Sequence, residues 1–359
     1  MSSPDQPLID ASVHLFFRSD RDLRSYLNEP FRSRGYPDPD VAWFAPPGPR
    51  YAGGTESPGG SHPGSDPELA GRTIFAERGF DYAILHPMSS AAILPDWHLG
   101  SAILAATNQM MVERWLDSGT YAHQFRGTIR VNPNDVGGAV KEIQRWQGHP
   151  RVVQIGLPMQ TQEPYGRAHF KPLWRAACDA GLPVAVHIEM GVGITHPPTP
   201  SGITRTYSHH VGYQAMTYIW HLLNMITEGV FEEFGDLRVV WADGAEDMLT
   251  PFMWRMDTFG RPHLEQTPWA PDLPSSYLPE HVYFVHGRLD GPGDAPFAGE
   301  WLTMTGKEDM LLFGSSYPDW QLVTPGDLPR AWSAGQRAKV LGGNAARLYG
   351  LHAAAPAPA

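Results

Sequence analysis

Two rhythms alternate along this chain. Short apolar runs, rich in Val, Ile, Leu and Ala, read as strands, and longer stretches with helical spacing separate them. The runs fall at residues 9–14, 81–86, 127–132, 152–157, 183–187, 237–243, 282–286 and 310–316. Helical patterns lie near 20–27, 69–78, 98–116, 136–146, 170–180, 212–228, from 243 to about 257, at 296–304 and at 336–348. In the first run Asp10, Ser12 and His14 stand at spacing two, so on a regular strand their side chains share one face.

The other runs are apolar almost throughout, as in a parallel sheet buried on both faces. Strands alternating with helices make an α/β fold. Eight such units favour a closed barrel, a distorted TIM (β/α)8 barrel with long loop insertions. A doubly wound sheet would carry a glycine-rich phosphate turn after a strand, and neither G-x-G-x-x-G nor G-x-x-x-x-G-K-[ST] is present. The pattern predicts one domain over residues 1–352. An irregular insertion at 30–66, dense in Pro, Gly and Ser, reads as a lid or an oligomer contact, and the Ala/Pro tail at 353–359 frays.

Composition narrows the function classes. A net charge of -11 argues against a nucleic-acid surface. There is no apolar run of membrane-spanning length and no signal-peptide pattern at the start, so a cytoplasmic protein without membrane contacts is expected. The lone Cys178 excludes an intrachain disulfide and a multi-cysteine metal site, and its apolar helical surroundings read as core.

Chemistry in such a barrel gathers at the C-terminal ends of the strands. Those ends read His14, His86, Asn132, Gly156, His187, Asp243, His286 and Ser316. Histidine at four of eight ends suits metal binding or proton transfer. His210, after the fifth strand's insertion, is a further candidate, with a surface or capping role as its plain alternative. Asp243 stands before a helix, as an N-cap or an anionic site residue. Asp319 reads as a turn residue at the pocket rim. Neither a G-x-S-x-G elbow nor H-E-x-x-H occurs.

Several pieces together resemble the amidohydrolase-related family, which holds aminocarboxymuconate-semialdehyde and γ-resorcylate decarboxylases. They are Ile9-Asp10-Ala11-Ser12-Val13-His14, Gly229-Val230-Phe231-Glu232, Phe313-Gly314-Ser315-Ser316-Tyr317-Pro318 and Asn344-Ala345-Ala346-Arg347-Leu348-Tyr349. The resemblance implies a metal-dependent TIM barrel with an H-x-H or E-x-H pair on the first strand, a His on the fifth and an Asp on the eighth. Those positions hold Ser12 and His14, His187 and Ser316, so two of the four ligands are serine. It also aligns His210 with a histidine common in relatives, and Asp243 with a His or Glu after the sixth strand.

A serine hydroxyl is a weak substitute for imidazole or carboxylate, and a zinc site needs three or four protein ligands. The expectation is a divalent metal, zinc foremost, held by His14 and His187 with His210 as a possible third ligand, or no metal at all. On the first reading the protein is an enzyme on a small aromatic or carboxylated molecule, by hydrolysis or non-oxidative decarboxylation. His210 and Asp243 then carry acid–base roles, and Ser12, His286, Ser316 and Asp319 line the pocket. On the second it is a pseudoenzyme or partner subunit. Either a homodimer or a heteromer with a related barrel is expected.

Overall fold

The computed structural model describes residues 6–34, 51–161, 163–188, 206–242, 244–260, 265–286, 291–319 and 322–352. Eight parallel strands run in sequence order around a nearly closed barrel with helices outside it. They are β1 (Ile9–Leu15), β2 (Tyr82–Pro87), β3 (Phe125–Arg130), β4 (Val152–Pro158), β5 (Val184–His187), β6 (Val239–Ala242), β7 (Val282–His286) and β8 (Leu311–Phe313). Among the described residues no helix is long and apolar enough to cross a membrane.

Alternation sorts the strand residues into two cores. Ile9, Ala11, Ile84, Val153, Ala185, Val240, Ala242, Tyr283, Val285 and Leu312 pack on one another, and side chains from so many strands can meet only along the barrel axis. Their neighbours Leu85, Ile129, Ile155, Val186, Trp241, Phe284 and Phe313 face outward into the layer shared with the helices. The C-terminal helix Asn344–Tyr349 closes the lower end. There the Tyr349 hydroxyl donates to Gln154 Oε1 at 2.7 Å, and Gln154 Nε2 donates to Thr128 Oγ1 at 2.9 Å.

β1 departs from regular alternation. Asp10 pairs with Ala83, yet Val13 pairs with Leu85, so β1 carries one residue more than β2 across that step. Such a bulge reverses the facing of everything beyond it. Ile9 and Ala11 point to the axis, whereas Val13 and Leu15 join the outer core. The expectation that Asp10, Ser12 and His14 share a face is therefore corrected. Asp10 works at the seam between β8 and β1, where its Oδ1 accepts from Ser315 N at 2.9 Å and from Ser12 N at 3.1 Å. A single parallel bridge, Val13 with Tyr317, and the bond from His14 N to Tyr317 O at 2.7 Å complete the contact.

The first insertion is described at residues 30–34 and 51–66. Its second part lies on the ends of β1 and β8. Tyr51 bridges Asp319, Ala52 N donates to Pro318 O at 3.0 Å, and Phe16 N donates to Gly64 O at 3.0 Å. Gly64 combines a left-handed φ of 75° with a close approach: a Cβ there would lie 3.0 Å from the His14 carbonyl oxygen. The insertion after the fifth strand, rich in Gly, Pro and Thr at residues 191–208, lies outside the described residues except at its end.

Burial pushes the Asp10 carboxyl up to about 6, against the hydrogen bonds from Ser315 and Ser12 that favour its anion. With the folded pKa above the unfolded one, this group's contribution is full below about pH 4 and is lost as pH rises through 6. Asp10→Asn keeps an acceptor and removes the charge, so denaturant unfolding of that variant should be flatter than wild type between pH 4 and 6.5. Asp10→Ala leaves two buried N–H groups without their acceptor and should cost about 1–3 kcal/mol. An unchanged pH slope in Asp10→Asn would contradict this account of the seam.

Candidate active site

The bulge in β1 turns Ser12 and His14 toward the axis, and β5 ends on His187 facing them. His14 Nε2 lies 3.1 Å from His187 Nε2 and 3.2 Å from Ser12 Oγ. His187 Nδ1 donates to the Ile188 carbonyl at 2.6 Å, so its Nε2 presents a lone pair to His14. That contact stands if His14 carries its proton on Nε2, or if a cation lies between two lone pairs. Burial, and next the charge of Arg130, lower His187 to about 3, so it is a neutral imidazole at physiological pH.

His86 faces the same space from β2, with ring centroids 5.3 Å from His187 and 6.4 Å from His14. Its Nε2 donates to the Ala11 carbonyl at 3.0 Å. Burial holds it well below the usual histidine range, and the neighbouring His187, His14 and Arg130 act in the same direction. Its buried Nδ1 has no hydrogen-bond partner among the described residues.

Arg130 is the group that strand-end counting misses. Ending the third strand at Asn132 pointed to the wrong residue. β3 stops at Arg130, and Asn132 Nδ2 instead donates to Trp97 O and Ser101 Oγ on the helix Trp97–Met111 that precedes the strand. Arg130 is fully buried, and burial lowers its guanidinium to about 10, still a cation at neutral pH. Asn108 grips its backbone from both sides, Arg130 N donating to Asn108 Oδ1 at 2.8 Å and Asn108 Nδ2 donating to Arg130 O at 2.9 Å. Across the ladder sits Gly156, where a Cβ would come within 2.8 Å of Arg130 Cδ. The readable signal was an arginine within the strand-like run at 127–132, a residue type almost never fully buried without a reason.

The other expected residues divide. His286 does not join the group. It follows Phe284 by two residues, so it faces the outer layer and meets Trp332 at 6.2 Å between ring centroids. Burial lowers it to about 4, and neither ring nitrogen has a hydrogen-bond partner among the described residues. Ser316 follows β8 in left-handed backbone, φ 57°, and is half-buried. Asp319 serves the turn, its N donating to Ser316 O at 2.8 Å, and it bridges Tyr51. His210 lies in the first turn of the helix Tyr207–Thr227, with its side chain outside the described residues, as is the whole of Asp243.

Nitrogens 3.1 Å apart suit two imidazoles on one ion at about 2.0–2.1 Å each. A carbonyl-bound Nδ1, as in His187, is the usual orienting contact of a metal-ligating histidine. Among the described residues, however, no group of three or more His, Cys, Asp or Glu could hold a metal. The fit thus extends to His14 and His187 with the Ser12 hydroxyl alongside, a weaker donor set than zinc normally takes.

The amidohydrolase family pattern matches residues 9–351. The chain belongs to the amidohydrolase family. No curated protein matches its sequence. Solved structures similar to this amidohydrolase share its fold at low identity. An amidohydrolase from Mycobacterium avium subsp. paratuberculosis K-10 aligns with TM-score 0.71 and 18% identity over 97% of this chain and 100% of that one. A dihydroxybenzoic acid decarboxylase from Polaromonas sp. JS666, with bound manganese and the inhibitor 2-nitroresorcinol, gives 0.68 and 18% over 96% and 97%. A 5-carboxyvanillate decarboxylase from Novosphingobium aromaticivorans DSM 12444, complexed with manganese and 4-hydroxy-3-methoxy-5-nitrobenzoic acid, gives 0.66 and 16% over 96% of each. Membership of the amidohydrolase family supports an enzyme of the hydrolase or lyase class.

The two serines that the resemblance places at ligand positions make the donor set testable. Ser12→His with Ser316→Asp should tighten manganese or zinc binding on the order of tenfold or more, read by titration calorimetry on chelator-treated protein. The left-handed backbone at Ser316 accepts Asp readily. Unchanged affinity in the double variant would remove these positions from the metal site.

Proposed function

We propose that this amidohydrolase is a non-oxidative decarboxylase of a small aromatic carboxylate, working at an altered metal site. The observation that carries the reading is the buried pair His14 and His187, 3.1 Å apart, in the same barrel mouth as the cation Arg130. The aromatic-acid decarboxylases among the similar solved structures agree with it.

Decarboxylation replaces a carboxylate by a proton. The bond from ring carbon to carboxyl carbon breaks, its electron pair stays on the ring carbon, a proton joins that carbon, and carbon dioxide leaves. His14 and His187, with Ser12 beside them, would hold a divalent cation of the manganese or zinc type. When bound, such an ion supplies Lewis-acid stabilisation to an anionic oxygen of the substrate. The proton is assigned to His210 or Asp243, because His187 stays neutral and offers a lone pair. Hydrolysis calls for a carboxylate base beside the attacking water, and the chain has Ser316 where relatives place that Asp. Decarboxylation, which needs no activated water, is favoured for that reason.

The serines at both ligand positions favour a second reading, a barrel retained as the partner subunit of an intact relative. Carbon dioxide release separates the two. With manganese added, the purified chain should decarboxylate a member of a panel of hydroxylated and methoxylated benzoates. His187→Ala, checked for its fold by circular dichroism, should lower kcat/KM on the order of 100-fold or more. No release from any aromatic acid by the folded wild-type chain would sink the enzyme reading in favour of the partner subunit.

A further inference from the structure

We propose that the face built by the helices Tyr207–Thr227 and Glu246–Gly260 docks a second copy of this chain, with Trp220 of each copy seated in the apolar groove of the other. The inference goes beyond the catalytic reading and does not depend on it.

The groove comes first. The two helices flank a cleft of about 490 Å³. Leu223 and Ile226 line it from the first helix, and Phe252, Met256 and Phe259 line it from the second. On the second helix those three residues recur at spacings of four and three, so one apolar stripe runs along the cleft. Phe259 is 65% exposed, a large apolar area to leave in water on an outer helix.

Projecting side chains are the second observation. Met216, Trp220 and Leu223 also follow at spacings of four and three, so they share one face of Tyr207–Thr227. Met216 is 38% exposed and Trp220 59%. The stripe therefore leads from two projecting side chains into the groove. A face that carries both the knob and the hole is self-complementary, as an isologous contact requires. Trp220 stands one turn before Leu223. A twofold axis crossing the helix between them lays its two copies antiparallel and sets each Trp220 over the other's groove. A tryptophan anchored in a pocket is a common source of binding energy at such contacts.

Charge favours a second copy over an unlike partner. Arg255 and Asp272 both line the groove. Among the described residues neither has an ion-pair partner: the Arg255 guanidinium lies 4.9 Å from the Phe259 ring centroid, and Asp272 N donates to the Tyr277 hydroxyl at 3.3 Å. One cation and one anion left unpaired at the same groove can pair twice across a twofold axis. A second copy matches both by symmetry. With a net charge of -11 two copies repel one another overall, so association needs local pairing of this kind as well as apolar burial.

The test is sedimentation velocity on the full-length protein at concentrations up to about 100 µM. Wild type should sediment at twice the mass of the chain. Trp220→Glu, folded by circular dichroism, should raise the dimer Kd at least about 100-fold. Arg255→Asp alone should raise it about tenfold, and Arg255→Asp with Asp272→Arg should return it to within about threefold of wild type. The charge swap decides the matter if Trp220→Glu does not fold. A wild-type chain that stays monomeric, including one that gains mass only when mixed with a related barrel, overturns the proposal. So does a dimer indifferent to Trp220→Glu, or a charge swap that does not restore what the single reversal lost.

Discussion

Between β8 and β1 the barrel has one isolated backbone bridge, and the Asp10 carboxylate spans much of what a ladder would otherwise join. Its Oδ1 ties the chain after β8 to the start of β1 and, through Ser12 N, fixes the bulge within β1. A carboxylate is a costly group to bury, which is why its pKa rises to about 6. What it holds in place is the facing of every later residue of that strand. Without the extra residue in β1, His14 would point outward among the helices, as Val13 and Leu15 now do, and the pair with His187 could not form.

The mouth that results has an unusual electrostatic balance for a metal barrel. Burial and the nearby Arg130 both lower His86 and His187, while the guanidinium itself stays a cation. An arginine and a metal cation at the same mouth would repel one another, so a guanidinium there would weaken a donor set that is already sparse.

Much of the fold was legible in the chain. Eight apolar runs with helical spacing between them predict the barrel, and the strand positions agree with the structure to within a few residues. Those few residues mattered at the site. Placing the third strand two residues late hid Arg130 behind Asn132, and reading β1 as regular alternation put Asp10 on one face with Ser12 and His14 when it belongs to the seam. His286 shows the same limit, since its place at a strand end is legible and its outward facing depends on strand parity. Bulges leave little local trace, because they arise from the fit between two strands far apart in sequence.

Gly156 is the instructive case. Read singly, a glycine near the end of a strand contributes nothing to a site, because it has no side chain. Read with its partner across the ladder, it is the condition for the largest polar side chain in the barrel. A residue's role at such a mouth is set by the volume its neighbours leave empty as much as by its own chemistry. Arginine at 130 and glycine at 156 are one unit of design, and a relative with a side chain at the second position could not carry this arginine in the same pose. By the same logic Ser12 and Ser316 are small groups at the same mouth. At position 12 that is direct: the serine hydroxyl lies 3.2 Å from His14 Nε2, and a bulkier residue there would fill space beside the imidazole that the serine leaves open.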